Sequence, residues 1–516
     1  AAGILLSRLA GLARDVVFAH FFGTSLFADV FRAASNVPNV MQNLLGEGTL
    51  SASFIPVYAE LVEQGRHKEA GRVAGAVLGL LVALAGLMGL AGILFSPLLV
   101  TVLLPGFSGQ RRELSIEVLR IFFPMTGLFV LSAWALGVLN SHRQFFLAYV
   151  APVLWNLAMV IAMVLFGAHV MQRDLLSIVA WAALIGGVLQ FGVQLPRVLQ
   201  LEPALSLRVR ESRKHVVKVL ANAGPAILGR GVVQLSSWMD IILASLLATG
   251  AVAALSYAQR LYLLPVSLFG MSVAAAELPE LARNRSGTAD ALRERLDGGL
   301  RQIAFYVVPS TLAFLVLGDV LVAALFQSGS FHAGDTRLVY LVLAGYSLGL
   351  IASTATRLYS SAFYALQDTA TPAKTALIRV LLAAALGINL MTLLEHRHVD
   401  GHALGAVGLS LAAGVSAWVE WWMLGRALRR HLGVRAQTGG AVRRMLFASL
   451  VAVLLARAVL WVVAPQTPLV AATLAGAIFA PVYLGLTRAF GLVEARPWTD
   501  RLLIIAKHLR ARVIKE

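Results

Sequence analysis

With 516 residues, 59% of them hydrophobic and only 13% charged, and a mean hydropathy of +0.79, the chain is too apolar for a soluble protein of two or three domains. The absence of cysteine excludes disulfides, thiolate metal sites and cysteine nucleophiles. A net charge of +17 would suit nucleic acid, but the distribution of the basic residues along the chain assigns it to membrane topology instead.

A membrane-spanning helix takes about 20 mainly apolar residues. Candidate spans fall near 1–22, 27–62, 70–104, 114–139, 145–168, 175–197, 214–249, 251–282, 302–327, 337–366, 373–394, 403–428, 442–464 and 468–488. All read as helices, because the alternating ten-residue strands of a membrane barrel do not occur. Spans well beyond 25 residues must tilt, bend or project, and Pro38, Pro56, Pro225, Pro265 and Pro279 are placed in or near the bends. If the spans alternate sides, the loops around 62–72, 140–144, 197–218, 283–301, 367–374 and 426–444 and the tail after 488 share one face. About thirty Lys and Arg lie there, against about five on the other face, so the first face and both termini are predicted to be cytoplasmic. The chain opens inside an apolar segment without Met, and a few preceding residues are expected.

The segment Gly23–Pro38–Pro56 is echoed by Gly250–Pro265–Pro279, and Gly186-Gly187-Val188 by Ala413-Gly414-Val415. Six spans per copy give a parallel repeat with substrate between the halves. The predicted organisation is a first lobe at 1–200, a second at 201–432, two extra helices at 433–490, and a tail at 491–516. In the tail, Arg501, Lys507, Arg510 and Arg512 among Leu502, Leu503, Ile504 and Ile505 suit an amphipathic helix on an anionic inner leaflet, with an ordinary polar tail as the alternative.

No G-x-x-x-x-G-K-[ST] phosphate loop occurs, so ATP is not the energy source. No H-E-x-x-H helix or intramembrane carboxylate pair suits acid–base chemistry, and the chain is not read as an enzyme. His396, His398, Asp400 and His402 read as a polar loop rather than a metal centre.

The informative residues are arginines inside apolar helices: Arg8, Arg14, Arg32 and Arg260, with Arg357 in the polar company of Thr354, Thr356 and Tyr359. A guanidinium stays charged at physiological pH, so within a membrane it must face a wet cavity or an anion. Arg8 can alternatively snorkel toward a surface, and Arg14 can pair with Asp15 or Asp29. Arg32, Arg230, Arg379 and Arg457 read as snorkelling or paired. Glu47 and Gly48, beside Gly46, interrupt an apolar helix as an unwound or gating element would, or Glu47 fixes an arginine through an ion pair. Asp240, after Ser236 and Ser237, is a candidate proton or Na⁺ site. Glycines 71, 75 and 79 predict close helix packing.

Ser7-Arg8-Leu9-Ala10-Gly11-Leu12-Ala13-Arg14-Asp15, Phe22-Gly23, Ala28-Asp29, Pro38-Asn39 and Glu47-Gly48 resemble the opening of the MurJ (MviN) lipid II flippase family. The resemblance continues through Gly224-Pro225, Tyr257-Ala258-Gln259-Arg260-Leu261, Gln327-Ser328-Gly329-Ser330-Phe331 and Phe363-Tyr364-Ala365-Leu366-Gln367-Asp368. It implies an all-α inner-membrane protein of the MOP exporter superfamily, with two six-helix lobes and two further helices that groove a polyprenyl tail. The implied substrate is lipid II and the implied setting cell-wall synthesis. Arg8, Arg14, Arg260 and Asp29 would then meet the headgroup diphosphate, and Asp240 would match a Na⁺-linked carboxylate. The chain departs from the family where Asn36 and Gln42 stand in place of basic residues, and Arg357 is a candidate to compensate. Membrane potential is the other candidate driving force. Alternatives are a flippase for another polyprenyl-linked glycan, a drug/cation antiporter of the superfamily, or a non-transporting membrane scaffold.

Overall fold

The computed structural model describes residues 2–208, 212–274, 277, 289–432 and 438–500, and within them the side chains at 2, 4, 5, 47, 226, 228–233, 235–237, 289–292, 431 and 432 are not described. Pro279 and the tail from 501 onward, where the amphipathic pattern was read, lie outside the described residues.

The protein is all-α and polytopic. Its helices are α1 (Ala2–Phe22), α2 (Leu26–Leu45), α3 (Glu47–Glu63), α4 (His67–Leu103), α5 (Gly109–Ser141), α6 (Phe145–Phe166), α7 (Gln172–Leu201) and α8 (Arg213–Ser245). They continue as α9 (Ala251–Pro265), α10 (Ala289–Phe326), α11 (Ala333–Leu348), α12 (Leu350–Ala365), α13 (Ala370–Glu395), α14 (Gly405–Leu432), α15 (Gly439–Val463) and α16 (Pro468–Ala489). With α2–α3 and α11–α12 each counted as one interrupted rod, these sixteen helices make fourteen rods among the described residues, the number of spans expected. Among the described residues ten helices are long and apolar enough to cross a membrane on composition alone, and the bent α11–α12 pair makes an eleventh. Helix α1 is not among them because Arg8, Arg14 and Asp15 interrupt its apolar run.

The breaks fall at glycines more than at prolines. Pro38, Pro56 and Pro225 sit inside continuous helices, whereas the chain breaks at Gly46, between α2 and α3. A side chain at Gly46 would lie 2.5 Å from the Gln42 carbonyl oxygen and 3.3 Å from Ala133, so the turn admits no Cβ. Pro265 does mark a change: α9 ends there and a π-helical turn, Val266–Gly270, follows.

Two compact units emerge, residues 1–253 with 328–331, and residues 254–327 with 332–516. In the first, α5 is the central helix, packed by α2, α3, α4 and α7, while α1 lies against α6. Its core holds Phe54, Tyr58, Leu61, Trp134 and Leu139, and the Trp134 indole donates to the Ala74 carbonyl at 3.1 Å. Polar side chains inside the unit bond to one another: the Gln190 amide donates to Ser132 Oγ (2.9 Å) and that hydroxyl donates to Gln194 (2.7 Å). The glycine stripe of α4 receives not a helix but the non-helical segment after α7. A Cβ at Gly71 would lie 3.0 Å from the Ala204 carbonyl carbon, one at Gly75 2.5 Å from Ser206 N, and one at Gly79 3.1 Å from the Leu207 carbonyl oxygen.

In the second unit, α10 packs on α11 and α15, α14 on α11, α12 and α13, and α15 on α16. The α11–α12 bend of 42° lies at Gly349, whose Cβ would meet Gly414 Cα of α14 at 2.6 Å. The histidine-bearing loop is a small hairpin, β1 (His398–Val399) against β2 (His402–Ala403), tied to α11 by Arg337–Asp400 (3.0 Å) and His402–Asp335 (3.4 Å). Among the described residues no group of three or more His, Asp or Glu is arranged to hold a metal ion.

Candidate functional site

Helices α1 and α2 form a helical hairpin about Gly23, which has φ +55°. Arg14 and Arg32 each lie nine residues from that turn, so both stand roughly 13 Å along their helices, at a matching depth. Asp15 is between them. Its Oδ1 accepts from Arg14 Nη2 at 2.9 Å, from Arg14 Nε at 3.3 Å and from Arg32 Nη1 at 2.9 Å. All three residues are buried: Arg14 is 5% exposed, Asp15 1% and Arg32 8%. Each guanidinium is also faced by an aromatic ring, Arg14 by Trp155 of α6 at 4.9 Å and Arg32 by Phe18 at 4.6 Å. Ring faces attract cations most strongly where water is scarce. The result is one carboxylate oxygen shared by two desolvated guanidiniums, groups whose planar forks match phosphate oxygens.

Asp29 has a different task. It is fully buried on the first turn of α2, and its two oxygens accept from the backbone N–H of Gly250 (2.7 Å) and Ala253 (2.9 Å), at the N-terminus of α9. An acid there satisfies orphan amides and complements the helix dipole. Arg111 Nη1 lies 4.0 Å from the same carboxylate. Gly250, at φ +94°, packs so tightly that a Cβ would sit 2.7 Å from the Thr24 carbonyl oxygen. At the same end of the unit, Ser330 N donates to the His20 carbonyl (2.7 Å), His20 Nδ1 lies 3.0 Å from Ser328 Oγ, and the Gln172 amide donates to the Phe21 carbonyl (2.6 Å). The Ser328-Gly329-Ser330 motif is therefore a plug on the α1–α2 turn.

The other sequence-derived residues are spread more widely. Arg8 is exposed on α1, and Asn36 faces Trp238 and Ile241 of α8. Gln42 lies a turn before the Gly46 break and accepts the Gly46 N–H through its carbonyl (2.7 Å). Glu47 opens α3, and Asp240 is exposed on α8. In the second unit Arg260 is exposed on α9, next to the buried Tyr257 turn. Arg357 is exposed on α12, where the π-helical turn comes close: a Cβ at Gly270 would lie 3.8 Å from Arg357 Cδ. Tyr262 OH meets Ser353 Oγ at 2.5 Å on the same face. Arg379 pairs with Glu420 (3.0 Å) and Arg457 with Asp319 (2.9 Å), as expected of intramembrane arginines that serve structure.

The family model described as "Lipid II flippase MurJ" matches residues 18–479. A lipid II flippase MurJ of Burkholderia cenocepacia is 33% identical over 446 residues, 85% of this chain and 84% of that protein. The chain belongs to the MurJ family. Among solved structures, a MurJ flippase in an inward closed conformation aligns with a TM-score of 0.78 at 22% identity, covering 95% of this chain and 98% of the other. A multidrug MATE transporter of the MOP superfamily, inward-facing, aligns with a TM-score of 0.65 at 18% identity over 83% of this chain and 94% of its own. At these identities the likeness is one of fold. Of the residues expected at a ligand site, Arg14 stands in this cluster while Asp29 is bound to the amides of α9; Arg32, expected to snorkel or pair, is paired with Asp15, and the rings of Trp155 and Phe18 were not foreseen. The signal for Arg32 was present: it is the mirror position of Arg14 about Gly23.

Proposed function

We propose that this protein is a flippase that moves lipid II, a lipid-linked peptidoglycan precursor, from the inner to the outer leaflet of a bacterial cytoplasmic membrane by alternating access. The observation that carries this reading is the buried Arg14–Asp15–Arg32 cluster on the α1–α2 hairpin. The diphosphate and sugar-peptide headgroup of such a lipid cannot cross hydrocarbon unaided, and paired guanidiniums are the side chains best suited to replace the water of the diphosphate. Arg8 and Arg260 serve as further headgroup contacts, with Asn36, Gln42, Glu47 and Arg357 lining or gating the path. A drug/cation antiporter would need acids where these arginines stand.

The contacts among Thr24, Asp29 and Gly250–Ala253 act as an outer gate, made in one state of the cycle and broken in the other. A mainly apolar cavity of about 380 Å³ in the second unit, lined by Tyr359, Trp418, Trp421, Trp422 and Val442 together with Arg429, is suited to part of a polyprenyl tail. Both termini and the basic loops face the cytoplasm, and the cycle is biased by membrane potential or by a cation at Asp240, without ATP. The test is replacement of an essential lipid II flippase by this gene. Growth is expected with the intact chain and lost with Arg14→Ala or Arg260→Ala at equal membrane abundance. Failure of the intact chain to support growth, or full growth of both variants, contradicts the proposal.

A further inference from the structure

Asp15 sits where an anionic ligand is least welcome, on the guanidinium that would bind it. A buried carboxylate stripped of its only cation is strongly unfavourable. An arginine that must leave such a partner therefore binds phosphate weakly unless a second cation stays behind. Arg32 is that cation: it donates to the same oxygen, Oδ1, at the same 2.9 Å, from a different helix, and its guanidinium is held in place over the Phe18 ring. Arg14, by contrast, comes from the residue next to Asp15, and its other face rests on Trp155.

Resting on the diphosphate reading above, we propose that Arg32 is a positioning residue that keeps Asp15 paired while Arg14 transfers its fork to the ligand diphosphate. The step is an exchange of hydrogen bonds. Two Arg14 donors leave Asp15 Oδ1 for phosphate oxygens, the Arg32 donor remains, and no proton or covalent bond moves. Arg32 need not touch the ligand. The arrangement also assigns Asp15 a purpose: with no ligand present it occupies Arg14 and spares the interior a bare guanidinium.

The test uses the full-length chain in lipid nanodiscs, with undecaprenyl diphosphate as probe and undecaprenol as the uncharged control. Arg32→Gln is expected to weaken diphosphate binding about thirtyfold or more, the usual scale for truncating one partner of a buried charge pair, while the melting temperature stays unchanged because Asp15 keeps its bonds to Arg14 when no ligand is bound. Arg32→Lys retains the charge and should bind within about threefold of the unaltered protein, since a point charge can still hold one carboxylate oxygen. Adding Asp15→Asn to Arg32→Gln removes the trap and should restore binding. Ligand should also change the fluorescence contributed by Trp155, read as the difference from Trp155→Phe, as Arg14 leaves the indole, and Arg32→Gln should abolish that change. A purely packing role for Arg32 would move the melting temperature and leave the ligand-dependent fluorescence intact. If Arg32→Gln does not fold, the double variant decides: binding supports the exchange and lack of binding overturns it. Normal binding by Arg32→Gln while Arg14→Ala is defective overturns this proposal alone; normal binding by Arg14→Ala overturns the diphosphate reading with it.

Discussion

Asp15 and Asp319 both pair with arginines inside apolar helices, and they differ in almost everything that matters to function. The Asp319 carboxylate is 34% exposed, and it meets Arg457 fork to fork at 3.1 and 2.9 Å, one acid to one base. Its half-exposed charges keep part of their water. Asp15 is 2% exposed in its side chain, offers one oxygen to two guanidiniums, and is closed in by Phe18 and Trp155. A saturated pair near a surface is an anchor, whereas a shared carboxylate in a dry interior is a contact that can be traded. The same residue types thus support stability in one region and ligand exchange in the other.

That contrast is sharpest when each carboxylate is removed. Asp15→Ala leaves two buried guanidiniums without their common acceptor and should cost about 3–5 kcal/mol, seen as a large fall in melting temperature in detergent. Asp29→Ala should cost somewhat less, about 2–4 kcal/mol, because it orphans two backbone N–H groups at the start of α9 and a nearby arginine rather than a pair of charges. Cysteines at Ser25 and Ala251, placed in this cysteine-free chain, should cross-link through a short reagent and halt transport, with recovery on cleavage; unimpaired transport with the link complete would remove the gate from the account. Asp319→Ala should change stability by no more than about 1 kcal/mol and leave transport intact. Equal losses for Asp15→Ala and Asp319→Ala would erase the distinction between the two regions.

Much of the fold was legible because the membrane leaves few choices. Apolar runs marked ten of the rods and, with the bent pair, an eleventh, and the absence of strand alternation indicated their helical form. Bends were harder to place. Proline signals a kink only where the lost hydrogen bond is not absorbed, and Pro38 and Pro56 are carried within helices while Gly46 takes the turn. The stripe at glycines 71, 75 and 79 correctly announced a close approach but not its partner, since nothing in a small-residue repeat distinguishes a helix from the non-helical segment at 202–208. In the site, Arg14 stood out because a charge in an apolar helix is costly, and its pairing with Asp15 was one of the alternatives. Arg32 drew less notice because its role depends on the α1–α2 hairpin bringing positions 17 apart to one oxygen. Asp29 was assigned by resemblance to the substrate site, and its bonds to Gly250 and Ala253 could be read only from the folded chain.

The most direct test of the central claim is lipid II translocation by the purified chain in sealed vesicles, with an externally added enzyme that modifies only lipid II on the outer surface. The account predicts protein-dependent exposure of lipid II that disappears with Arg14→Ala and persists with Arg457→Gln. Exposure that is absent with the intact chain, or that is equal in the two variants, would contradict it.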